Sequence, residues 1–415
     1  MKNTNGIKLW DLRVVFIFFI SPFLGAFLAF FCENKSIRKY ILALFMGAAA
    51  YLTAPVYDLS RHFTSFNLLE KGLDNPFVTL DIVLPFINHI IIFLHGNFEL
   101  VRFLFVFVSY VLVISAVELI TSHTALRDHK TNNIFFIIAF FCVPLFTIIL
   151  GLRFGLSVSF CFYGLVLLTM NKRRGIWYMI FSTLTHYSMG IFLIIAIISI
   201  KLNEISRRTL FVNKIIIIFA SIIFFLFGQT LLLSLIDLVP FENVLISRAK
   251  SYLFGVYAGE YLEDRSLGYR ASVIISHLSF YPLCFYFFIQ KRAVNFITPF
   301  VVFSFIYLAL ISPFFKIQER TLLFMVWPLL IVFISTYNVT GFKSGMKIML
   351  VVTSLFTFLF GNIHSNRRVM YLSDYYSLLY FYPTTFIKRY DYKWVTEKLD
   401  HEGRPKDYKG LRLMQ

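Results

Sequence analysis

Long stretches without a formal charge, separated by short charged segments, dominate the pattern of hydrophobic and polar positions along this chain. An α-helix needs about 20 such residues to cross a bilayer, whereas a barrel strand needs only about 10 with alternating polarity. The pattern therefore predicts transmembrane helices. The uncharged runs are residues 14–32, 40–57, 131–152, 154–171, 175–200, 215–236, 271–290, 293–315, 321–342 and 348–366, and a further span is expected near 100–120.

The composition supports this assignment. Of the 415 residues, 58% are hydrophobic and 15% are charged, with a mean hydropathy of +0.74, while a soluble protein carries about 25% charge. We expect an all-α, polytopic integral membrane protein with about 10–12 transmembrane helices. Residues 1–366 are predicted to form a single transmembrane helical domain with outer loops at about 57–98 and 237–270, and 367–415 a basic, aromatic C-terminal tail. The first run is interpreted as a retained helix, because it lacks a signal-peptide cleavage site.

The distribution of basic residues predicts the orientation. One set of loops carries 16 basic residues against 3 acidic ones, so the positive-inside rule places it in the cytoplasm. This set comprises residues 33–39, 121–130, 172–174, 201–214, 291–292 and 343–347. Cytoplasmic and outer loops alternate along the chain only if residues 175–200 do not cross the membrane. This predicts that they form a hairpin of two half-helices, which enters from the cytoplasm and has its tip near residues 185–188. A single tilted helix is the alternative. The basic N-terminus and tail fall outside in this scheme, against the rule.

Lone arginines at the ends of the apolar runs are the candidate chemical groups. An arginine at mid-membrane costs about 2.5–3.5 kcal/mol, so Arg153 should lie at a surface, in a cavity or beside an anion. Asp58, Arg61 and Arg320 are predicted on the same outer side. The simpler interpretations are structural: Asp58 and Arg61 would form an ion pair at a helix start, and Arg320 would be an interfacial anchor. Together they predict a pocket suited to phosphate or pyrophosphate, since guanidinium binds these groups bidentately and keeps its charge.

Several classes of function lack support. No GxxxxGK[ST], HExxH or GxSxG motif is present in the sequence, so nucleotide hydrolysis, zinc proteolysis and serine-esterase chemistry are not indicated. The four cysteines lack the spacing of metal ligands or disulfides, and we expect neither a metal nor a cofactor. The net charge of +17 suits anionic lipids or an anionic substrate. Nucleic acid is not expected as a partner, because little of the chain lies outside the membrane.

Four short segments carry a resemblance to a known family. They are Asp-Leu-Ser-Arg-His at 58–62, Arg-Phe-Gly-Leu-Ser at 153–157, His-Tyr-Ser at 186–188, and Arg320. Their order and the spacing of the spans, from about residue 35 to about 365, resemble the EpsG/Wzy-type polysaccharide polymerases, which include bacterial O-antigen polymerases. The resemblance implies a fold similar to GT-C-like membrane glycosyltransferases. It also implies a multi-pass protein of the bacterial inner membrane whose active site faces the periplasm.

The resemblance implies the reaction as well. Oligosaccharide repeat units on undecaprenyl pyrophosphate would be joined by glycosyl transfer into O-antigen or a related surface polysaccharide. Arg153 and Arg320 would hold the departing charge, with Arg248 third, and either Asp58 or His186 would be the general base. Substrate contacts are expected from Arg61, His62, Ser188, Arg248, Tyr252 and Arg270. The expected partners are the lipid-linked oligosaccharide and membrane lipids, and a chain-length regulator is a candidate.

Two other functions share these features. A transporter or flippase of lipid-linked oligosaccharides would have a similar span count and basic cavity, but it is expected to show internal repeats and a midplane site. The sequence indicates neither. A membrane O-acyltransferase would need a histidine base, and His186 alone does not exclude it. The sequence leaves open the sugars, the linkage and the choice of general base.

Overall fold

The computed structural model shows an α-helical protein. The described residues are 8–73, 81–123, 129–143, 145–202, 275, 277–290, 294, 296–311, 315–337, 343–364, 366–380, 390–400 and 403–406, with scattered positions between 215 and 234. Within these segments there is no β-strand, only an isolated antiparallel bridge between Leu399 and Pro405.

Seventeen α-helices have both ends within the described segments. They are α1 (Leu9–Ile20), α2 (Pro22–Ala29), α3 (Lys35–Leu52), α4 (Asp58–Glu70), α5 (Val83–Phe93), α6 (Phe98–His123), α7 (His129–Cys142), α8 (Leu145–Leu150), α9 (Leu152–Thr169), α10 (Gly175–Thr185), α11 (Gly190–Lys201), α12 (Phe280–Ile289), α13 (Ile297–Leu310), α14 (Phe315–Thr336), α15 (Lys343–Phe356), α16 (Arg367–Leu372) and α17 (Tyr392–Lys398). A π-helical segment, Thr357–His364, continues α15.

Four helical segments of the described chain are long and apolar enough to cross a membrane. They are Phe98–His123, Leu152–Thr169, Ile317–Thr336 and Gly345–His364. The prediction of an all-α polytopic membrane protein is therefore confirmed. The run 131–152, expected as one span, is instead divided between α7 and α8. Its sequence has a proline at 144, and proline lacks the N–H that a continuous helix needs.

The N-terminal apolar run is also divided, so the single helix expected over residues 14–32 is wrong. The hydroxyl of Ser21 accepts the N–H of Leu24 at 3.4 Å, and Pro22 occupies the first position of α2, where its missing N–H costs nothing. The second helix then folds back against the first. A Cβ at Gly25 would lie 2.3 Å from the Cα of Phe18, so this close approach requires glycine.

This fold brings the two ends of the run together. Lys8, just before α1, forms an ion pair with Glu33, just after α2. Lys8 therefore lies at the same end of the protein as loop 33–39, and not across the bilayer from it. The arrangement contradicts the prediction that Lys8 and residues 33–39 lie at opposite ends, while the side of the membrane on which they lie stays a prediction.

Helices α9 and α10 form an antiparallel pair with a fixed register. A Cβ at Gly164 would lie 2.8 Å from the carbonyl oxygen of Gly175, and the hydroxyl of Ser182 donates to the carbonyl of Ser157 at 2.8 Å. The two contacts are separated by seven residues on each helix, in opposite directions. Continuing this register by four residues brings the start of α9 level with the end of α10.

The chain bends sharply after α10, as the predicted hairpin tip requires. His186 has an extended backbone (φ −150°, ψ 109°), and a short 3₁₀ turn, Tyr187–Met189, leads into α11. A Cβ at Gly190 would lie 3.3 Å from Cγ2 of Thr183. In a straight helix, seven residues would separate these positions by about 10.5 Å. The broken helix is thus present, while its entry from the cytoplasm stays a prediction.

Helix α14 lies beside α9. The ring of Trp327, which is 1% exposed, packs against Phe162 of α9 with centroids 4.6 Å apart. Phe324 of α14 contacts Phe192 of α11 in the same core. This packing places the first turns of α14 next to the start of α9.

A buried arginine fixes the link between α3 and α4. Arg102 of α6 is fully buried and donates to the carbonyls of Tyr51, at 3.1 Å, and Thr53. Its carboxylate partner is Glu99, one turn earlier on α6, at 3.5 Å. A cation at the end of α3 interacts favourably with the helix dipole, so Arg102 orders the chain just before Asp58.

The described part of the C-terminal tail packs on the same junction. The hydroxyl of Tyr390 donates to the carbonyl of Leu52 at 3.1 Å, and Ser373 accepts the N–H of Ala54 at 2.8 Å. Val369 and Leu399 belong to the main buried cluster of the protein. The boundary between 366 and 367 stays a prediction, since described residues on both sides share one core.

Candidate active site

One end of the helical bundle gathers charged side chains from five segments. Asp58 begins α4, and its carboxylate lies between two guanidinium groups. Oδ1 is 3.6 Å from Nη1 of Arg61, and Oδ2 is 3.6 Å from Nη2 of Arg320. The Asp58 side chain is 49% exposed, so both ion pairs are loose and open to solvent. A ligand can therefore reach this carboxylate and both arginines.

Asp81, just before α5, is the centre of the site. Its side chain is fully buried, and Oδ2 forms an ion pair with Nη1 of Arg153 and lies 3.5 Å from Nδ1 of His186. Its other oxygen, Oδ1, accepts the N–H of Tyr187 at 3.0 Å. One carboxylate thus fixes a cation from α9 and an imidazole from the α10–α11 break.

Local backbone contacts place Asp81 at this point. The N–H of Ile82 donates to the carbonyl of Leu184 at 3.1 Å, which ties the start of α5 to the end of α10. The α9–α10 register brings Arg153 level with His186. The ion pairs and the antiparallel helices therefore specify the same geometry independently.

Asp81 remains ionised in this environment. Burial alone raises the pKa of a carboxyl group. At Asp81 the nearby His186, the Arg153 guanidinium and the Tyr187 N–H outweigh burial and hold the pKa below its usual range. Asp81 therefore carries the negative charge that makes a cation tolerable at the second residue of α9, close to the positive end of the helix dipole.

Phe154 joins the two clusters. The Cζ atom of Arg320 lies 5.8 Å from the centroid of the Phe154 ring, and the His186 ring packs edge-on against it at 6.0 Å. Arg153 is 23% exposed and Arg320 is 42% exposed, so both cations reach solvent. Arg320 lies in the second turn of α14, whereas the apolar run 321–342 predicts a helix that begins just after it.

The other predicted substrate contacts differ in position. Arg61 and Ser188 are exposed, whereas His62 lies on the buried face of α4, where a ligand would not reach its ring in this conformation. Burial, followed by the Arg153 charge, lowers the pKa of His62 to about 4, so the ring is neutral. Arg248, Tyr252 and Arg270 lie outside the described residues.

The arrangement can bind an anion next to a proton acceptor. Three guanidinium groups, from Arg61, Arg153 and Arg320, are present with two carboxylates. Helices α4 and α9 also begin here, and helix N-termini favour negative charge. No group of three or more His, Cys, Asp or Glu side chains that could hold a metal ion occurs among the described residues.

The fold and this site define a polytopic membrane protein with a cluster of arginines, ordered by a buried carboxylate, at one end of its helical bundle. The chain belongs to the EpsG family, whose family model matches residues 37–382. This range includes Asp58, Asp81, Arg153, His186 and Arg320, and the match confirms the resemblance noted in the sequence. The protein is thus a polysaccharide-polymerase-like membrane protein. No curated protein and no solved structure matches the chain.

Proposed function

We propose that this protein polymerises oligosaccharide repeat units carried on undecaprenyl pyrophosphate, by glycosyl transfer, into O-antigen or a related surface polysaccharide. One observation carries the proposal. A fully buried carboxylate, Asp81, holds a partly exposed arginine and a histidine side by side, and Arg320 contacts the same Phe154 ring as the histidine. Such a site provides anion binding and proton acceptance together, which this transfer requires.

The arginines are assigned to the leaving group. When the bond between the anomeric carbon of the growing chain and its pyrophosphate breaks, negative charge accumulates on the departing oxygen. Arg153 and Arg320 stabilise that charge, because fixed cations at the point where charge develops lower the barrier. No nucleotide is required, since the donor already carries two phosphates.

We assign the general base to His186. Nδ1 lies 3.5 Å from Oδ2 of Asp81, so we assign the imidazole proton to Nδ1, which leaves Nε2 to accept the proton of the acceptor hydroxyl. The hydroxyl oxygen of the incoming unit attacks the anomeric carbon, its proton passes to Nε2, and the electron pair of the broken bond leaves with the pyrophosphate. Asp81 stabilises the imidazolium that forms.

Asp58 receives a different assignment. Its carboxylate lies 3.6 Å from both Arg61 and Arg320 and is half exposed, so a phosphate that binds these arginines replaces it. Asp58 thus keeps the two cations close together until substrate arrives. A like-charge pair of arginines without an anion would separate.

The same proposal places the pocket on the periplasmic face of the bacterial inner membrane. Supporting this orientation, the basic residues 172–174 lie between α9 and α10, at the end of this helix pair away from Arg153 and His186. Basic loops favour the cytoplasmic side.

Deletion of the gene, followed by electrophoresis of the surface polysaccharide, tests the function. Loss of the long-chain ladder with retention of single repeat units is expected, whereas loss of all surface polysaccharide would indicate export and contradict polymerisation.

In complementation, Arg153→Ala and Arg320→Ala should abolish chain growth, and Arg153→Lys should restore little of it. Arg173→Ala, an exposed arginine at the other end of the α9–α10 pair, is the matched control and should give a normal ladder. Normal ladders from both site variants at wild-type abundance would remove these arginines from the mechanism.

A further inference from the structure

We propose that a C-terminal hairpin, formed by described residues 398–400 and 403–406, is a positioning element for the site. The carbonyl of Gly403 holds Tyr57 in a strained backbone conformation and thereby fixes Asp58, the next residue. The inference rests on the proposed function, because its main assay is chain growth. It assigns a role to a segment that lies far from the other site residues in sequence.

The backbone of Tyr57 adopts a conformation that normally belongs to glycine. Its dihedral angles are φ 55° and ψ −132°, and the N–H of Leu59 donates to the carbonyl of Val56 at 3.1 Å. These values match the first central position of a type II′ turn, where glycine is preferred. A tyrosine there stores strain, and such strain persists only where surrounding contacts enforce it.

Gly403 supplies that contact. The N–H of Tyr57 donates to the Gly403 carbonyl at 2.8 Å. Gly403 itself has φ +74°, and a Cβ there would lie 2.2 Å from Oγ of Ser60 and 2.8 Å from the carbonyl oxygen of Tyr57. The hairpin therefore fits against the start of α4 only with glycine at this position.

The hairpin is held in shape by its own hydrogen bonds. The N–H of Gly403 donates to the carbonyl of Asp400 at 3.0 Å, and the N–H of Arg404 donates to Oδ1 of Asp400 at 2.8 Å. The N–H of Lys406 donates to the carbonyl of Lys398 at 2.8 Å. The segment thus presents a preformed carbonyl to Tyr57.

Release of this contact would move Asp58. The hydroxyl of Ser60 donates to the Tyr57 carbonyl at 2.7 Å, so the first turn of α4 and the strained residue move together. If Tyr57 relaxes to a negative φ, the Asp58 carboxylate leaves its position between Arg61 and Arg320. We expect the rate of chain growth to fall about tenfold, the scale set by the strain of one residue.

Two variants break the contact while leaving the chain up to Asp400 unchanged. Gly403→Ala adds the clashing Cβ. Truncation after Asp400 removes the carbonyl but keeps Tyr390 and α17. Each should lower long-chain synthesis about tenfold at unchanged protein abundance. A normal ladder from both variants would overturn the inference.

A second substitution, at Tyr57, distinguishes a positioning role of the hairpin from a merely structural one. Tyr57→Gly adopts the turn conformation without strain, so the Tyr57→Gly, Gly403→Ala double variant should grow chains within about threefold of Tyr57→Gly alone. Tyr57→Ala removes the same side chain but keeps the strain, so the Gly403→Ala loss should persist in that background. Equal losses in both backgrounds would contradict the proposal.

Hydrogen exchange on the purified protein provides a readout that does not depend on activity. The Tyr57 amide should be protected in the wild type and should exchange at least about tenfold faster in the truncated form. Unchanged protection would refute the hairpin's role even if the truncated form makes fewer long chains. A wild-type protein that forms no polymer, with the protection difference still present, would instead refute the proposed function.

Discussion

The replacement of Asp81 by asparagine tests the centre of the site. Asparagine keeps the size of the side chain and an oxygen for the Tyr187 N–H, but it removes the negative charge that faces Arg153 and His186. Any effect then comes from charge and from the orientation of the imidazole, and not from a cavity.

The structure sets the expected magnitude. Removal of one partner from a fully buried ion pair costs about 3–5 kcal/mol. Arg153 is 23% exposed, so water solvates part of its charge and we expect a smaller loss of about 2 kcal/mol in the free energy of unfolding. Without the carboxylate, His186 loses the group that fixes its protonated nitrogen. Chain growth per folded molecule should fall by a factor of about 10² to 10⁴.

Two measurements are needed. Thermal unfolding of the purified protein in detergent gives the stability change, and the polysaccharide ladder, normalised to folded protein, gives the rate change. Glu397→Gln is the control, because this carboxylate is exposed and lies 3.8 Å from Lys393; its stability should change by less than about 0.5 kcal/mol. Wild-type unfolding together with a normal ladder from Asp81→Asn would refute the reasoning.

Two further predictions concern His62 and the contact between α9 and α10. The pKa of His62 is about 4 in the folded protein, below its unfolded value of about 6.5, so the unfolded state binds more protons between these values. Stability should therefore fall by about 3 kcal/mol as the pH drops from 7 to 4, and His62→Gln should remove this loss in pH-dependent thermal unfolding. A loss of the same size in the variant would contradict the assignment. Gly164→Ala places a Cβ 2.8 Å from the Gly175 carbonyl and should destabilise the protein by about 1–3 kcal/mol. Gly345→Ala, with nothing within 4 Å, should instead be neutral or stabilising by up to about 1 kcal/mol in the same unfolding assay, and equal effects would exclude close packing as the cause.

Local sequence patterns predicted several parts of the site. Arg153 was identified because a permanent cation between two apolar runs of spanning length is costly in a membrane unless it lies at a surface, in a cavity or beside an anion. The break at His186 was predicted because run 175–200 is too long for one crossing and has basic flanks. Both predictions depend on a local excess or deficit of charge, which a sequence shows directly.

The break in the first apolar run and the role of Asp81 were not predicted, although the sequence contains indications of both. The first apolar run was taken as one helix, although Ser21 followed by Pro22 is a helix-start signal. Asp81 was missed, although it stands directly before the uncharged residues 82–98, and an isolated charge beside an apolar run had already identified Arg153. The same criterion, applied to acidic residues, would have found it.

The contact between Gly403 and Tyr57 could not be predicted in this way. The two residues are more than 300 positions apart, and nothing local indicates a positive φ at a tyrosine. Such contacts arise from tertiary packing, here the docking of the tail on the α3–α4 junction. A sequence pattern specifies which segments are helical, while the partner of a surface loop depends on the whole fold.

Cysteine labelling measures whether the arginine site opens away from the cytosol. In a variant whose native cysteines are replaced, Ser188→Cys and Arg61→Cys would be exposed to a membrane-impermeant maleimide at the pocket, and Lys172→Cys would report the opposite end. We expect that positions 188 and 61 are labelled in intact cells with a permeable outer membrane, and that position 172 reacts only after the inner membrane is opened. Labelling of 188 and 61 from opposite sides of the membrane, or of 172 from outside, would contradict this expectation.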